Sequence, residues 1–175
     1  MGKPKQMKKQ KPTEFEQLVT EMMKYSATTS KSDQIKGFIT ESNKIEGITR
    51  PPTKSEVEVF TKFLELKKVT VGDLENFVSV YQPGAALRDQ VGLNVRVGTH
   101  YPPSGGPEIK GRLKGILANL STMSPYEAHV EYETLHPFTD GNGRSGRALW
   151  AWQMGEFPRG FLHEFYYQTL GASRK

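Results

Sequence analysis

Twelve consecutive residues, His136-Pro-Phe-Thr-Asp-Gly-Asn-Gly-Arg-Ser-Gly-Arg147, hold one imidazole, one carboxylate, one carboxamide, two guanidiniums and three glycines. An imidazole can take a proton from a hydroxyl as a general base near neutral pH. Pro137 disfavours helical geometry in the residue before it, so a helix is expected to end at His136. A second helix is expected from about Asn142, through Ala148, Leu149, Trp150, Ala151, Trp152 and Met154, to Gly155. Gly141 and Gly143 let the intervening backbone turn tightly and approach a ligand. The amides of Gly141, Asn142 and Gly143 would then converge at a helix N-terminus, a ready anion site. Arg144 and Arg147 fall in the first turns of that helix, on a shared face, where the helix dipole disfavours cations. A polyphosphate is the obvious anion to compensate them. Asp140, just ahead of the turn, could cap the helix or hold a magnesium ion on that phosphate. Taken singly, each residue has an ordinary structural use. Those uses do not explain why all the types coincide at one helix start.

The segment HPFTDGNGRSGR resembles the signature of the Fic (filamentation induced by cAMP) family, HPFx(D/E)GNGRxxR, at every fixed position. The resemblance implies an all-α, mainly helical domain with a small β-hairpin flap. It also implies transfer of AMP from ATP to a Ser, Thr or Tyr hydroxyl of a target protein. In those terms His136 would deprotonate the hydroxyl, and Asp140 would hold Mg2+ (or Mn2+) on the α- and β-phosphates. Gly141, Asn142 and Gly143 would cradle phosphate oxygens. Arg144 and Arg147 would bind the β- and γ-phosphates and offset the charge that develops as pyrophosphate leaves. Phe138 has no polar role and is expected to anchor the loop in the core. Family variants that phosphorylate carry a lysine-containing loop, and Gly143 departs from that pattern.

The elements that must position this segment show in the apolar periodicity. Ile35, Phe38, Ile39 and Ser42 form one stripe of a helix expected over Asp33 to Glu46, with Gly47 as its stop. Glu46 is nearly a whole number of turns from Ile35 and falls on the same stripe. An inward carboxylate should be paired, whereas spacing alone favours a helix-end glutamate that reaches solvent. Ser42-Asn-Lys-Ile-Glu46-Gly47 resembles the family's inhibitory motif, (S/T)xxxE(G/N). That likeness implies an inhibitory helix over about 33–47, with Glu46 paired to Arg147 and obstructing productive γ-phosphate placement. Two other readings stay open. One is the reverse chemistry, hydrolytic removal of AMP with Glu46 orienting water. The other is a non-enzymatic adaptor that binds nucleotide or a partner, which the intact His136 and Asp140 oppose.

Further helices are expected from a capping box at Thr53 and Glu56, with Val57, Phe60 and Leu64 inward. Thr70 to Tyr81 repeats the scheme with Leu74, Phe77, Val78 and Tyr81. Leu93, Val95 and Val97 alternate with polar residues and predict a short strand; VRVGTHYPP is similar to the family's flap, which aligns a target segment by edge pairing. Pro107 opens a helix carrying Ile109, Leu113, Ile116, Leu117 and Leu120. Ser124-Pro125-Tyr126-Glu127 starts the one that leads into His136. His100 and His129 are expected to be structural or surface residues. Thr13 and Glu16 predict a first helix, and a last one is expected over about 160–170.

The 175 residues suit one domain, taken as residues 12–175 behind a basic tail at residues 1–11. That tail holds five lysines and no acid, so it accounts for the whole net charge of +5. The balanced remainder gives no net-charge case for nucleic acid, and the tail reads as a disordered leader. No apolar run approaches the roughly 20 residues of a membrane span. There are no cysteines, which excludes disulfides and thiolate metal sites. A cytoplasmic setting is expected, with a secreted effector left open. Oligomeric state is open on sequence grounds.

Overall fold

Thr53, Thr70 and Ser124 each accept from the backbone amide three residues on, and the acid there, Glu56, Asp73 or Glu127, accepts from the cap's own amide. These reciprocal capping boxes set three helix starts locally, before any tertiary contact is made. A computed structural model describes residues 30–155, and six helices run through them. They are α1 (Lys31–Ile45), α2 (Lys54–Leu64), α3 (Val71–Tyr81), α4 (Pro107–Ala118), α5 (Pro125–Leu135) and α6 (Asn142–Met154). The basic segment 1–11, the helix opened by Thr13 and the helix expected over 160–170 lie outside the described residues.

The apolar stripes converge on α6, which packs most extensively on α5 and also meets α1, α2 and α3. An aromatic spine crosses α1 to α3: Phe38 lies 5.4 Å from Phe60, Phe60 lies 6.0 Å from Phe77, and Phe77 stacks on Tyr81 at 4.3 Å. Leu74, Phe77, Val78 and Tyr81 are all buried, as their spacing predicts. On α2 the buried face is Glu56, Val59, Phe60 and Phe63, with the expected Val57 and Leu64 half-buried at its edge. Counting apolar residues misplaces that face because it contains a carboxylate.

Glu56 tolerates burial because Arg50 grips it twice, Nη1 to Oε2 and Nη2 to Oε1, both at 2.9 Å. Burial pushes the Glu56 carboxyl up, but the Arg50 and Thr53 hydrogen bonds outweigh it and hold the pKa below the ordinary value. A group with a depressed folded pKa adds stability above its unfolded pKa and loses it as pH falls through the folded one. Glu56 should therefore help keep the fold at neutral pH and release that contribution below about pH 4. Glu56→Ala is expected to lower stability by about 1–2 kcal/mol through the lost reciprocal cap bond and the lost hydrogen bonds to Arg50, which is itself half exposed. The difference from wild type should shrink as chemical denaturation is repeated at lower pH.

The strand expected over Leu93, Val95 and Val97 is corrected, and the hairpin shrinks to its tip. Among the described residues there is no strand, only isolated antiparallel bridges, Val97 with His100 and Leu87 with Phe138. Arg88 Nη1 donates to both Leu93 O and Pro103 O, at 3.1 and 2.8 Å, and so holds the two arms together. Pro102 and Pro103 lack the N–H a ladder needs. What remains of the flap is a tight turn, closed by Val97 N to His100 O at 3.0 Å and His100 N to Val97 O at 2.8 Å.

The bounds of α1 are corrected too. It starts at Lys31 and stops at Ile45, one residue short of Glu46. Gly47 takes φ +75°, its amide donates to Lys44 O, and the Ile48 amide donates to Asn43 O. This pair of bonds is a Schellman closure. Glu46 is thus the residue at the cap rather than part of the buried stripe, which is Ile35, Phe38, Ile39, Ser42 and Asn43.

Candidate active site

The loop between α5 and α6 is built from its ends inward. Leu87 bridges Phe138, the Arg88 amide donates to Pro137 O at 2.8 Å, and the Thr139 amide donates to Ala86 O at 2.9 Å. Phe138 is 1% exposed and does anchor the loop. Its backbone is then clamped by one side chain: Asn142 Oδ1 accepts from Phe138 N and Asn142 Nδ2 donates to Phe138 O, both at 2.8 Å. The Asn142 carboxamide is spent on the loop itself, and its backbone amide is the part expected in an anion cradle.

His136 is the helix cap of α5 and sits at φ +50°, the one non-glycine at positive φ among the described residues. Such a conformation costs on the order of 1 kcal/mol or more and needs surroundings that enforce it. Arg88 supplies them. It is wholly buried and donates Nε to His136 O at 2.7 Å and Nη2 to Leu135 O at 2.8 Å. Burial lowers the Arg88 pKa, yet a guanidinium keeps its charge at any ordinary pH. Arg88 thus ties the final carbonyls of α5 to the 93–103 segment. No periodicity announces it, because its partners are carbonyls, which every residue has.

The start of α6 has Gly141 as its N-cap, at φ +77°, with no side-chain capping bond. The capping role considered for Asp140 is therefore corrected. Its Oδ1 accepts from Gly141 N at 2.7 Å, outside the helix, and the residue is exposed. The first amides of α6 are the donors that helix geometry leaves open.

Arg144 and Arg147, expected on one face, straddle it, because three residues advance about 300° around a helix. Arg144 reaches α3: its Nη2 donates to Gln82 Oε1 at 2.5 Å, and its guanidinium lies 5.8 Å from the Tyr81 ring centroid. Burial lowers its pKa, opposed by the nearby charges of Glu46 and Asp140 and reinforced by Arg147. Its Nε is buried and has no hydrogen-bond partner among the described residues. Arg147 reaches α1: Nε donates to Ser42 Oγ at 2.8 Å, and Nη2 donates to Ser42 O at 3.0 Å and to Glu46 Oε1 at 2.5 Å. Arg147 is 1% exposed and the Glu46 side chain 35%. Gly143 makes room for this pair, since a Cβ there would collide with Glu46 Oε1 and stand 2.9 Å from Arg147 Nη1.

The structure therefore gathers His136, Asp140, Gly141, Gly143, Arg144, Arg147 and Glu46 around one loop and helix start. The two histidines expected to be structural or surface residues each face a backbone carbonyl: His100 Nε2 lies 3.0 Å from Thr134 O and His129 Nδ1 lies 3.1 Å from Gly146 O. Gln82, Tyr81 and Arg88 were not legible as site residues. Gln82 stands beside the Pro83-Gly84 turn, a signal for a chain reversal but not for an arginine partner.

A helical domain that presents a histidine, a carboxylate and two arginines around a glycine-lined helix start has the parts of a group-transfer site for phosphate-bearing substrates. The model of the Fic/DOC family matches residues 62–154, more than half of the chain, and the protein belongs to that family. Proteins of this family typically transfer nucleotide-derived groups to other proteins. No helix among the described residues is long and apolar enough to cross a membrane.

Proposed function

We propose that the protein is an adenylyltransferase that moves AMP from ATP to a Ser, Thr or Tyr hydroxyl of a target protein and that Glu46 restrains it. The observation that carries this reading is the Glu46 carboxylate, which lies against both Gly143 and Arg147. An oxyanion already occupies the junction of the α6 start and a motif guanidinium, so a carboxylate stands where a phosphate oxygen would compete. The buried, unused Nε of Arg144 adds a donor to the same helix start.

The chemistry follows from the placement. The target hydroxyl oxygen would attack the α-phosphorus while His136 takes the hydroxyl proton. The bond from that phosphorus to the oxygen bridging to the β-phosphate would break, and pyrophosphate would leave. Amides at the α6 start, with Arg144 and Arg147, would bind the phosphates and offset the leaving charge. Arg88 keeps His136 in its helix-capping geometry throughout, and Gln82 holds Arg144.

Asp140 fits a divalent cation. It is exposed, its Oδ1 accepts from Gly141 N, and a magnesium ion on a nucleotide needs one or two carboxylates, with phosphates and water completing its shell. Bound Mg2+ or Mn2+ would draw charge from the α- and β-phosphate oxygens. Asp140→Ala should therefore lower transfer about 10-fold or more and raise the metal concentration needed, with an unchanged melt. Full activity of the wild-type chain in excess chelator would remove the metal from the scheme.

The hydrolytic alternative has one observation behind it. The Glu46 side chain is 35% exposed despite its pairing, which leaves it able to hold a water. In that case a Glu46 variant would lose AMP removal rather than gain AMP transfer.

A further inference from the structure

We infer that Glu133 is a positioning residue for His136: its carboxylate stands behind imidazole Nδ1 and directs Nε2 to the incoming hydroxyl. This rests on the reading of His136 as the base. Glu133 Oε2 lies 3.9 Å from His136 Nδ1, and the two side chains are 4% and 15% exposed. Glu133 sits where a carboxylate gains from facing a cationic group. It is buried, which disfavours a carboxylate. It also lies in the last turn of α5, where the helix dipole repels an anion. An imidazolium at His136, 3.9 Å away, is a group that works against both penalties.

The neighbouring helix is shaped around it. A Cβ at Gly146 would collide with Glu133 Oε1 and stand 3.0 Å from Tyr132 Cδ1. On either side of that contact the register is fixed, by His129 Nδ1 with Gly146 O at 3.1 Å and by Tyr132 Oη with Ser145 Oγ at 2.7 Å. Gly146 falls at an unspecified position of the signature, so its lack of a side chain has its own explanation here.

Arg88 fixes the His136 backbone through its carbonyl, which leaves the ring's tautomer and tilt to be set. A proton on Nδ1, facing a carboxylate, places the lone pair on Nε2, the arrangement by which a third group orients a catalytic base. The 3.9 Å separation is long for a hydrogen bond, as such contacts often are before substrate binds. Other charged or titratable groups around this helix end are Arg88 at the His136 carbonyl, His100 at the Thr134 carbonyl, and Asp140 and Arg144 beyond the loop. Glu133 is the carboxylate that comes to 3.9 Å from the imidazole Nδ1.

The test uses the full chain. Pyrophosphate release from ATP is followed against pH for Glu46→Gly, and for that variant combined with Glu133→Gln or with His136→Ala. Glu133→Gln is expected to lower kcat about 10–100-fold, the value of a hydrogen bond to a charged group. KM for ATP should stay within about twofold. The acid limb of the profile should move to lower pH, because an imidazolium without its carboxylate loses its proton more easily. Nitrogen-15 NMR of the wild-type chain should show His136 protonated at Nδ1 when neutral, and Glu133→Gln should weaken that preference. A folded Glu133→Gln chain with unchanged kcat and acid limb would overturn the inference, as would an Nε2-protonated His136 in the wild type. If His136→Ala keeps full turnover, the base assignment itself fails. If His136→Ala is inactive and Glu133→Gln is unchanged, only the positioning role is lost.

Discussion

A His136→Ala chain should fold and bind nucleotide like its parent but transfer AMP about 10²–10⁴-fold more slowly, the usual cost of losing a general base. The structure gives reason to expect a clean result. The contacts that hold this stretch are made by backbone: Arg88 grips the carbonyls of Leu135 and His136, and Pro137 O accepts from the Arg88 amide. Alanine keeps all of them. It is less suited than histidine to positive φ, so His136→Asn, which tolerates that region, serves as the second variant. Both should melt within a few degrees of wild type. Turnover equal to the parent in a folded variant would reject His136 as the base.

Glu46→Gly is expected to act in the opposite direction, raising AMP incorporation on the order of 10–100-fold, if its charged hydrogen bond to Arg147 is what the γ-phosphate must displace. The geometry favours release without unfolding. Glu46 lies past the end of α1, so the helix keeps its buried Ile35, Phe38 and Ile39. The Schellman bonds of Gly47 and Ile48 are backbone bonds and survive. Arg147 also keeps both bonds to Ser42. The vacated carboxylate position should then accept nucleotide. ATP with magnesium should raise the melting temperature more in Glu46→Gly than in wild type. An equal rise in both chains would mean that Glu46 does not compete with the nucleotide.

Much of this could be read from the chain beforehand, and the failures share a cause. Helix starts were legible because Thr53 and Ser124 carry their capping partners three residues on. The α6 start was legible because Pro137, Gly141 and Asn142 act locally. The strand expected at Leu93, Val95 and Val97 is reduced to the Val97 and His100 pair, because alternation ignores Pro102, which has no N–H for the next pair. The inward face of α2 was misplaced because Arg50 makes the burial of Glu56 affordable. Spacing puts Glu46 on the α1 stripe and alone favours a helix-end glutamate that reaches solvent; it is 35% exposed and pairs with Arg147 from the helix cap. The pairing followed from the family motif, not from periodicity. Arg88 and Gln82 acquire meaning only from partners distant in sequence, which no pattern of residue types encodes, whereas Glu133 lies three residues before His136 and its spacing is local.

The most direct test is label incorporation by the Glu46→Gly chain, as self-modification or onto a target, with ATP labelled at the α-phosphate and, in parallel, at the γ-phosphate. The proposal requires incorporation of α-label alone, more than wild type gives, and none when His136→Ala is added. Incorporation of γ-label, or equal α-label in wild type and a folded Glu46→Gly chain, would contradict it.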